Sequence, residues 1–240
     1  MNADLEEQAK RAVGRRAVDE FVRPGTCIGL GTGSTAYYAI ERAGERVREE
    51  GLEIRAVPTS VETERLCRQF GIAVRGLGDE PIDVAIDGAD EAAPDWSLIK
   101  GAGGALFREK AVALAARTFV VVVTERKCVA TLGAFALPVE VVPFSARYVA
   151  REIEALGAAV TWRKRGGESF LSDNGNVILD CRFGVIDAPQ LLDAKLRAVH
   201  GVVATGLFVG LTSRLLVARA DGTVADYEAV TRKPASPTPP

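Results

Sequence analysis

Apolar residues in this chain fall into short runs separated by glycine, proline and polar turns, and the runs alternate between two periods. Residues 4 to about 22 are rich in helix formers, and Pro24-Gly25 ends that stretch before the apolar run TCIGL at 26–30, which reads as a buried strand. GTGSTAYYAIERA then opens a second helix. A strand is expected near Ile54 to Val57, a helix near Val61 to Phe70, and short strands near 72–75 and 82–86. A glycine-rich turn follows, then a helix from about 104 to 117 and the run FVVVV at 119–123. Apolar strands that alternate with helices in this way predict an α/β fold, a Rossmann-like, mostly parallel sheet with helices on both faces.

After about residue 133 the order becomes strand (Val139 to Val142), helix (about 145–156), strand (158–163), strand (177–181), helix (190–199) and strand (202–209). That is βαββαβ, a ferredoxin-like split pattern. Val149, Ile153 and Leu156 give the first of these helices one apolar face. RLLVA at 214–218 is expected to return to the first sheet. The implied division is a Rossmann-like catalytic domain of 1–133 and about 205–232, a small α+β domain of 134–204, and a proline-rich tail, 233–240, expected to be disordered.

A chain of 240 residues, 48% apolar and 26% charged, can bury a sizeable core. With 30 basic residues against 32 acidic ones there is no overall basic field for nucleic acid or an anionic membrane, so any phosphate site must be local. Cys27, Cys67, Cys128 and Cys181 are far apart and His200 is the one histidine, so no metal site is expected, zinc included. No apolar run reaches membrane-spanning length and MNADLEEQAK has no apolar targeting core, which makes the cytoplasm the expected location.

Three polar or glycine-rich stretches each follow a strand of the parallel sheet: GTGST at 31–35, DGADE at 87–91 and KGAGG at 100–104. Loops at the carboxyl ends of such strands line one crevice, where open α/β sheets bind ligands. In GTGST the glycines allow close backbone approach, and Ser34 and Thr35 open a helix whose N–H groups attract an anion. A hydroxyl cap after a glycine turn and a phosphate site are equally good readings of these five residues. GTGSTA also fits a dinucleotide fingerprint, but no acid follows the next strand to hold a ribose hydroxyl, and the Gly-Lys-Ser/Thr of a P-loop is missing.

In DGADE, Asp87, Asp90 and Glu91 suit either a solvated turn or, at the end of an apolar strand, acid–base work with raised pKa values. In KGAGGALFREK, Phe107, Ala111 and Leu114 share one helical face, so the glycines precede a helix N-terminus and Glu109 falls in the second turn. Glu109 and Lys110 are then either a surface pair, or Glu109 is a base pointing into the crevice with Lys100 across from it. A lysine, a glycine nest and a nearby glutamate would together make and stabilise an enediolate. His200 reads as structural or surface, and Tyr37 and Tyr38 as packing residues.

GLGTGSTA, PTS, DGADE, KGAGGALFREK, LPVEVVPF and DNGNVILD, in this order and spacing, resemble ribose-5-phosphate isomerase, type A, over nearly the whole chain except the tail. The resemblance implies interconversion of D-ribose 5-phosphate and D-ribulose 5-phosphate through a cis-enediolate, a step of the pentose phosphate pathway, with no metal or organic cofactor. Carried over by position, Glu109 is the base, Asp87 and Asp90 bind the sugar hydroxyls and help open the ring, and Lys100 stabilises the enediolate oxygen. Gly101, Ala102 and Gly103 lie beside it, with Gly88 and Ala89 on the facing loop. Thr32, Gly33, Ser34 and Thr35 form the phosphate loop, and Lys127 matches a substrate-binding lysine. The family has a phosphate-contacting lysine in its first helix. Arg11 stands there without a gap and Lys10 with one inserted residue, so that role stays open.

The resemblance also implies a phosphosugar partner and a homodimer or homotetramer. A non-catalytic sugar-phosphate regulator on a related fold is the alternative, although one helix before the first strand leaves no room for a helix-turn-helix. A nicotinamide-dependent oxidoreductase is a weaker one, disfavoured by the missing acid.

Overall fold

A computed structural model describes residues 3–229, so the proline-rich tail expected at 233–240 lies outside the described residues. Helix α1 (Ala3–Phe21) buries Ala9, Val13, Ala17 and Val18, a stripe at helical spacing. Pro24 and Gly25 then turn the chain into β1 (Cys27–Leu30). Next come α2 (Ala36–Glu50), β2 (Arg55–Pro58), α3 (Val61–Gln69), β3 (Ala73–Val74) and β4 (Ile82–Asp87). The Ser60 hydroxyl caps α3 by accepting from Thr63 N–H. The chain continues through two short strands, β5 (Glu91–Ala92) and β6 (Leu98–Ile99), to α4 (Leu106–Ala115) and the long strand β7 (Ala116–Thr124). That strand starts three residues before the apolar run because its first residue already pairs with the start of β4, Ile82 opposite Ala116.

A second set follows: β8 (Leu137–Val141), α5 (Ala146–Ala155), β9 (Ala159–Trp162), a small hairpin of β10 (Lys164–Arg165) and β11 (Glu168–Ser169), β12 (Val177–Arg182), α6 (Pro189–Ala198) and β13 (Val202–Thr205). These strands make a four-stranded antiparallel sheet in the order β13-β8-β12-β9, which is the split βαββαβ arrangement. The single strand expected at 202–209 is two. It breaks at Gly206, where a Cβ would meet the Lys100 carbonyl oxygen at 2.4 Å, and β14 (Leu207–Phe208) then pairs with β6 instead. The last strands among the described residues are β15 (Arg214–Ala218) and β16 (Val224–Glu228).

The main sheet runs β16-β15-β7-β4-β1-β2-β3, parallel except for β16. RLLVA therefore does return to it, beside β7. Alternate residues of β7 serve opposite faces. Val120 and Val122 pack with α1 and α2, whereas Val121 and Val123 pack with Val112, Ala113 and Phe208. Both faces are covered, and this is why FVVVV reads as an uninterrupted apolar run. Strand order reverses between β1 and β4, so the loops leaving Leu30 and Asp87 are neighbours at the carboxyl edge of the sheet. Among the described residues no helix is long and apolar enough to cross a membrane.

Candidate active site

The site starts from a close approach. Gly31 follows β1 directly opposite the end of β4, and a Cβ there would stand 2.0 Å from Asp87 Oδ1. Only glycine lets this carboxylate fold back against the first loop. Asp87 Oδ1 then accepts from Gly88 N–H at 2.7 Å and Thr32 N–H at 3.2 Å. Its Oδ2 faces the Lys100 ammonium at 2.9 Å.

Unlike the other two loops, KGAGG does not follow a strand of the parallel sheet as expected: Lys100 is delivered by β6 of the small antiparallel sheet of β5, β6 and β14, because its N–H donates to the Gly206 carbonyl where the chain crosses to β14. Its side chain is 2% exposed. The ammonium donates to the Gly88 carbonyl at 2.5 Å, lies 3.4 Å from Glu109 Oε1 and sits 5.5 Å above the Phe208 ring. The Lys110 ammonium lies 5.1 Å from the same ring centre and makes an ion pair with Asp193 at 3.7 Å. Both cations thus lie within 5.5 Å of the Phe208 ring centre.

Glu109 lies in the first turn of α4, not the second, because the helix begins at Leu106. The face marked by Phe107 and Leu114 is the exposed one, and Glu109 is buried with Leu106, Val112 and Ala113. A carboxylate on the inner side of an amphipathic helix is costly unless it is paired, and here Lys100 supplies the pairing on one oxygen only. Its Oε2 is buried without a hydrogen-bond partner among the described residues. The surface-pair reading of Glu109 and Lys110 therefore fails; each meets a different partner.

Burial pushes the Glu109 carboxyl up to about 8, against the pull of Lys100, with Asp87 and Asp90 adding to the rise. Burial raises Asp87 as well, opposed by Lys100 and by its two N–H donors. Asp87 holds the nearer share of the ammonium and both amides, so Glu109 is the member of the pair that takes the proton more readily. Burial works against the Lys100 ammonium, but the two carboxylates outweigh it and hold its pKa above the ordinary value. Lys110 is less deeply buried but faces one carboxylate in place of two, so burial prevails and brings it down to about 8.

A cavity of about 270 Å³ opens over these groups. Thr32, Gly33, Ser34 and Thr35 line one side, Gly88, Ala89 and Asp90 a second, and Lys100, Gly101, Ala102, Gly103 and Glu109 a third, with Lys127 at the rim. Asp87 lies behind this lining. Asp90 is turned toward the glycine loop and accepts from Ala102 N–H at 2.9 Å. Thr35 occupies the cap position of α2 but makes no side-chain cap, which leaves the phosphate reading of GTGST ahead of the hydroxyl-cap reading. A second cavity of about 520 Å³ adjoins the first through Thr32, Gly33, Ser34 and Gly103.

Arg11 and Lys10 line neither cavity. Arg11 stacks 5.0 Å over Tyr38 and reaches Glu41 at 3.8 Å, because its side of α1 faces α2; Lys10 pairs with Glu7. Glu91, the third acid of DGADE, is buried and accepts from the N–H groups of Gly133 and Phe135, so it holds a loop together. His200 is an exposed turn residue and Tyr38 is buried packing, as expected.

Reasoning from the sequence missed the support beneath the first loop. Thr32 Oγ1 lies within 3.1 Å of the hydroxyls of Thr59, Ser60 and Thr63, and Thr63 donates on to the Gly31 carbonyl. The signal was present in PTS at the end of β2, a run of hydroxyls where an apolar strand stops. It missed Phe208 too, since nothing local marks one buried phenyl ring as the floor of a charged site.

The chain is similar to known proteins along most of its length. The family model described as ribose 5-phosphate isomerase A (phosphoriboisomerase A) matches residues 55–222. The ribose-5-phosphate isomerase A of Methanothermobacter thermautotrophicus is 46% identical over 215 residues, covering 89% of this chain and 95% of that protein. The Bartonella quintana protein of the same name is 46% identical over 229 residues, covering 92% and 97%. The solved ribose 5-phosphate isomerase from Plasmodium falciparum superposes with a TM-score of 0.91 at 35% identity, covering 94% of this chain and 100% of that one. A D-ribose-5-phosphate isomerase solved in complex with phospho-erythronic acid gives 0.90 at 35% identity, covering 95% and 100%.

Proposed function

The chain belongs to the ribose 5-phosphate isomerase A family, and we propose that it interconverts D-ribose 5-phosphate and D-ribulose 5-phosphate. The observation that carries this reading is the buried Glu109 carboxyl beside the Lys100 ammonium at the floor of the cavity. Glu109 removes the proton from C2 of the open-chain aldose and returns it to C1, while the hydroxyl proton passes from O2 to O1, so atoms and electrons balance with no co-reactant. Lys100 and the loop of Gly101, Ala102 and Gly103 face the negative oxygens of the enediolate. A base that titrates near working pH combines a useful ionised fraction with proton affinity, and burial gives Glu109 that property.

Asp87, behind the cavity lining, keeps Lys100 in place, while Asp90, with Gly88 and Ala89, meets the sugar hydroxyls. The phosphate is held by Thr32, Gly33, Ser34 and Thr35, with Lys127 at the rim; Arg11 is left out of that set. Phospho-erythronic acid, the ligand of one solved relative, carries a carboxylate where this scheme puts the enediolate, which supports the assignment.

We read the chain as a catalytic unit of 1–133 and about 205–232 plus a small unit of 134–204, supported by the separate antiparallel sheet and by the return of β15 to β7. It acts in the cytoplasm as a homodimer or homotetramer. Phe144, a large apolar side chain left 99% exposed after β8, supports association, and Phe144→Asp is expected to lower the mass measured by light scattering.

Incubation with ribose 5-phosphate in heavy water tests the activity. An isomerase places deuterium at C1 or C2 with nothing added. A sugar-phosphate regulator places none, and an oxidoreductase needs a nicotinamide cofactor first; either of those results overturns the reading.

A further inference from the structure

We propose that Arg163, braced by Asp180, is a positioning residue that sets the orientation of the catalytic glycine loop. It lies outside the stretches singled out in the sequence and touches neither Glu109 nor Lys100. Its position is fixed from both sides: its N–H donates to the Ile178 carbonyl, and its carbonyl accepts from Phe170 N–H. The guanidinium grips Asp180 with two nitrogens, Nε at 3.0 Å and the terminal Nη2, a fork that holds it in plane. The remaining nitrogen, Nη1, donates to the carbonyls of Gly101 at 2.6 Å and Ala102 at 3.1 Å. Its side chain is 12% exposed, so little water competes for the guanidinium.

Two carbonyls are the handles of two peptide planes. A trans peptide is planar, with its N–H pointing away from its C=O. Pulling the Gly101 oxygen toward Arg163 throws Ala102 N–H to the opposite side, where it meets Asp90 Oδ2 at 2.9 Å. Pulling the Ala102 oxygen the same way throws Gly103 N–H to the side away from Arg163, and Gly103 lines the cavity. That N–H has no acceptor among the described residues. Gly101 has φ +111°, a conformation an L side chain rarely adopts, so the loop cannot rely on ordinary backbone preference for its shape. Gly104 N–H donates to the same Gly101 oxygen at 3.0 Å and closes the turn, but the Ala102 carbonyl is held by Arg163, so the clamp completes a fixed direction for donors that must face a developing oxyanion without reorganising.

This inference rests on the isomerase reading and is tested on the intact chain with Arg163→Met, Arg163→Lys and Asp180→Asn. Wild type and variants are assayed for turnover of ribose 5-phosphate and for inhibition by two probes, phospho-erythronate and inorganic phosphate. Misplacement of reacting groups by about 1 Å can cost on the order of a hundredfold. Arg163→Met is expected to lower kcat by about tenfold to a hundredfold and to weaken phospho-erythronate in parallel. KM and inhibition by inorganic phosphate should stay within about threefold, since the phosphate loop is untouched. Lysine offers a point charge in place of the fork and should recover only part of kcat, with Asp180→Asn falling between.

A kcat within twofold of wild type in Arg163→Met overturns the proposal. So does an equal loss of affinity for both probes, which would mark a general loosening of the site. If Arg163→Met does not fold, the same two criteria are applied to Arg163→Lys and Asp180→Asn. A wild-type chain that does not turn over ribose 5-phosphate sinks the isomerase reading instead, so the two failures are distinguishable.

Discussion

Replacing Lys100 with methionine removes one buried cation from between two buried carboxylates, and the structure says how the loss should be distributed over pH. At 2.9 Å from Asp87 and 3.4 Å from Glu109, the ammonium has gross attractions of about 6 and 5 kcal/mol at an effective dielectric of about 20. Desolvation of three charged groups cancels most of that. The net cost of stripping one partner from a buried pair is typically about 3–5 kcal/mol.

The carboxyls can escape part of this cost by taking up protons. In the variant their folded-state pKa values rise further above the unfolded values, so the folded chain binds more protons than the unfolded chain and stability falls as pH rises. The gap to wild type should therefore be about 1–2 kcal/mol at pH 5.5 and approach about 3–5 kcal/mol at pH 8.5. Urea unfolding at the two pH values, read as the shift in midpoint at constant slope, measures both. A gap that stays the same or is larger at pH 5.5 would show that the ammonium does not hold two ionisable carboxylates together. Turnover should drop by roughly a hundredfold to a thousandfold at either pH, the usual cost of one oxyanion donor.

Three further outcomes follow from the same geometry. Because the base must be ionised in the free enzyme and Glu109 titrates near 8, kcat/KM should rise with pH between 6 and 9 and level off above. The apparent pKa belongs to the coupled Glu109–Asp87–Lys100 cluster, well clear of the substrate phosphate near pH 6; a flat profile over this range would contradict the assignment. Gly31→Ala puts a methyl 2.0 Å from Asp87 Oδ1, so a stability loss of about 1–3 kcal/mol with a larger loss of kcat is expected from urea unfolding and turnover assays. Glu109→Gln should unfold at higher urea than wild type, with a gap that grows from pH 4.5 to 8 and reaches on the order of 4 kcal/mol, at about 1.4 kcal/mol per pH unit of displacement.

Much of this arrangement was legible in the chain. Short uninterrupted apolar runs alternating with helices, glycine-rich or acidic loops after them, and the βαββαβ order all follow from local patterns, and they give the two larger sheets. Two of the loops, GTGST and DGADE, meet because the sheet reverses its strand order between β1 and β4, a rule of topology that needs no contacts to apply; KGAGG joins them from the small antiparallel sheet, which no local pattern announced. What the sequence hid is long-range. The Phe107–Leu114 face of α4 looks like the core side by periodicity, yet tertiary context turns it outward and buries Glu109. Gly206 breaks a continuous apolar run because the Lys100 carbonyl passes over it, and Arg163 reaches the glycine loop from another sheet. The candidacy of Arg11 for the phosphate, left open beside Lys10, rested on alignment alone, and in the fold its side chain turns to Tyr38.

The exchange of solvent deuterium into ribose 5-phosphate, compared between the wild-type chain and Glu109→Gln at pH 8, bears most directly on the central claim. A positioned general base contributes about 100- to 10,000-fold, so exchange should fall by that factor while phospho-erythronate still binds. Exchange at a near wild-type rate in the glutamine variant would mean that another group moves the proton.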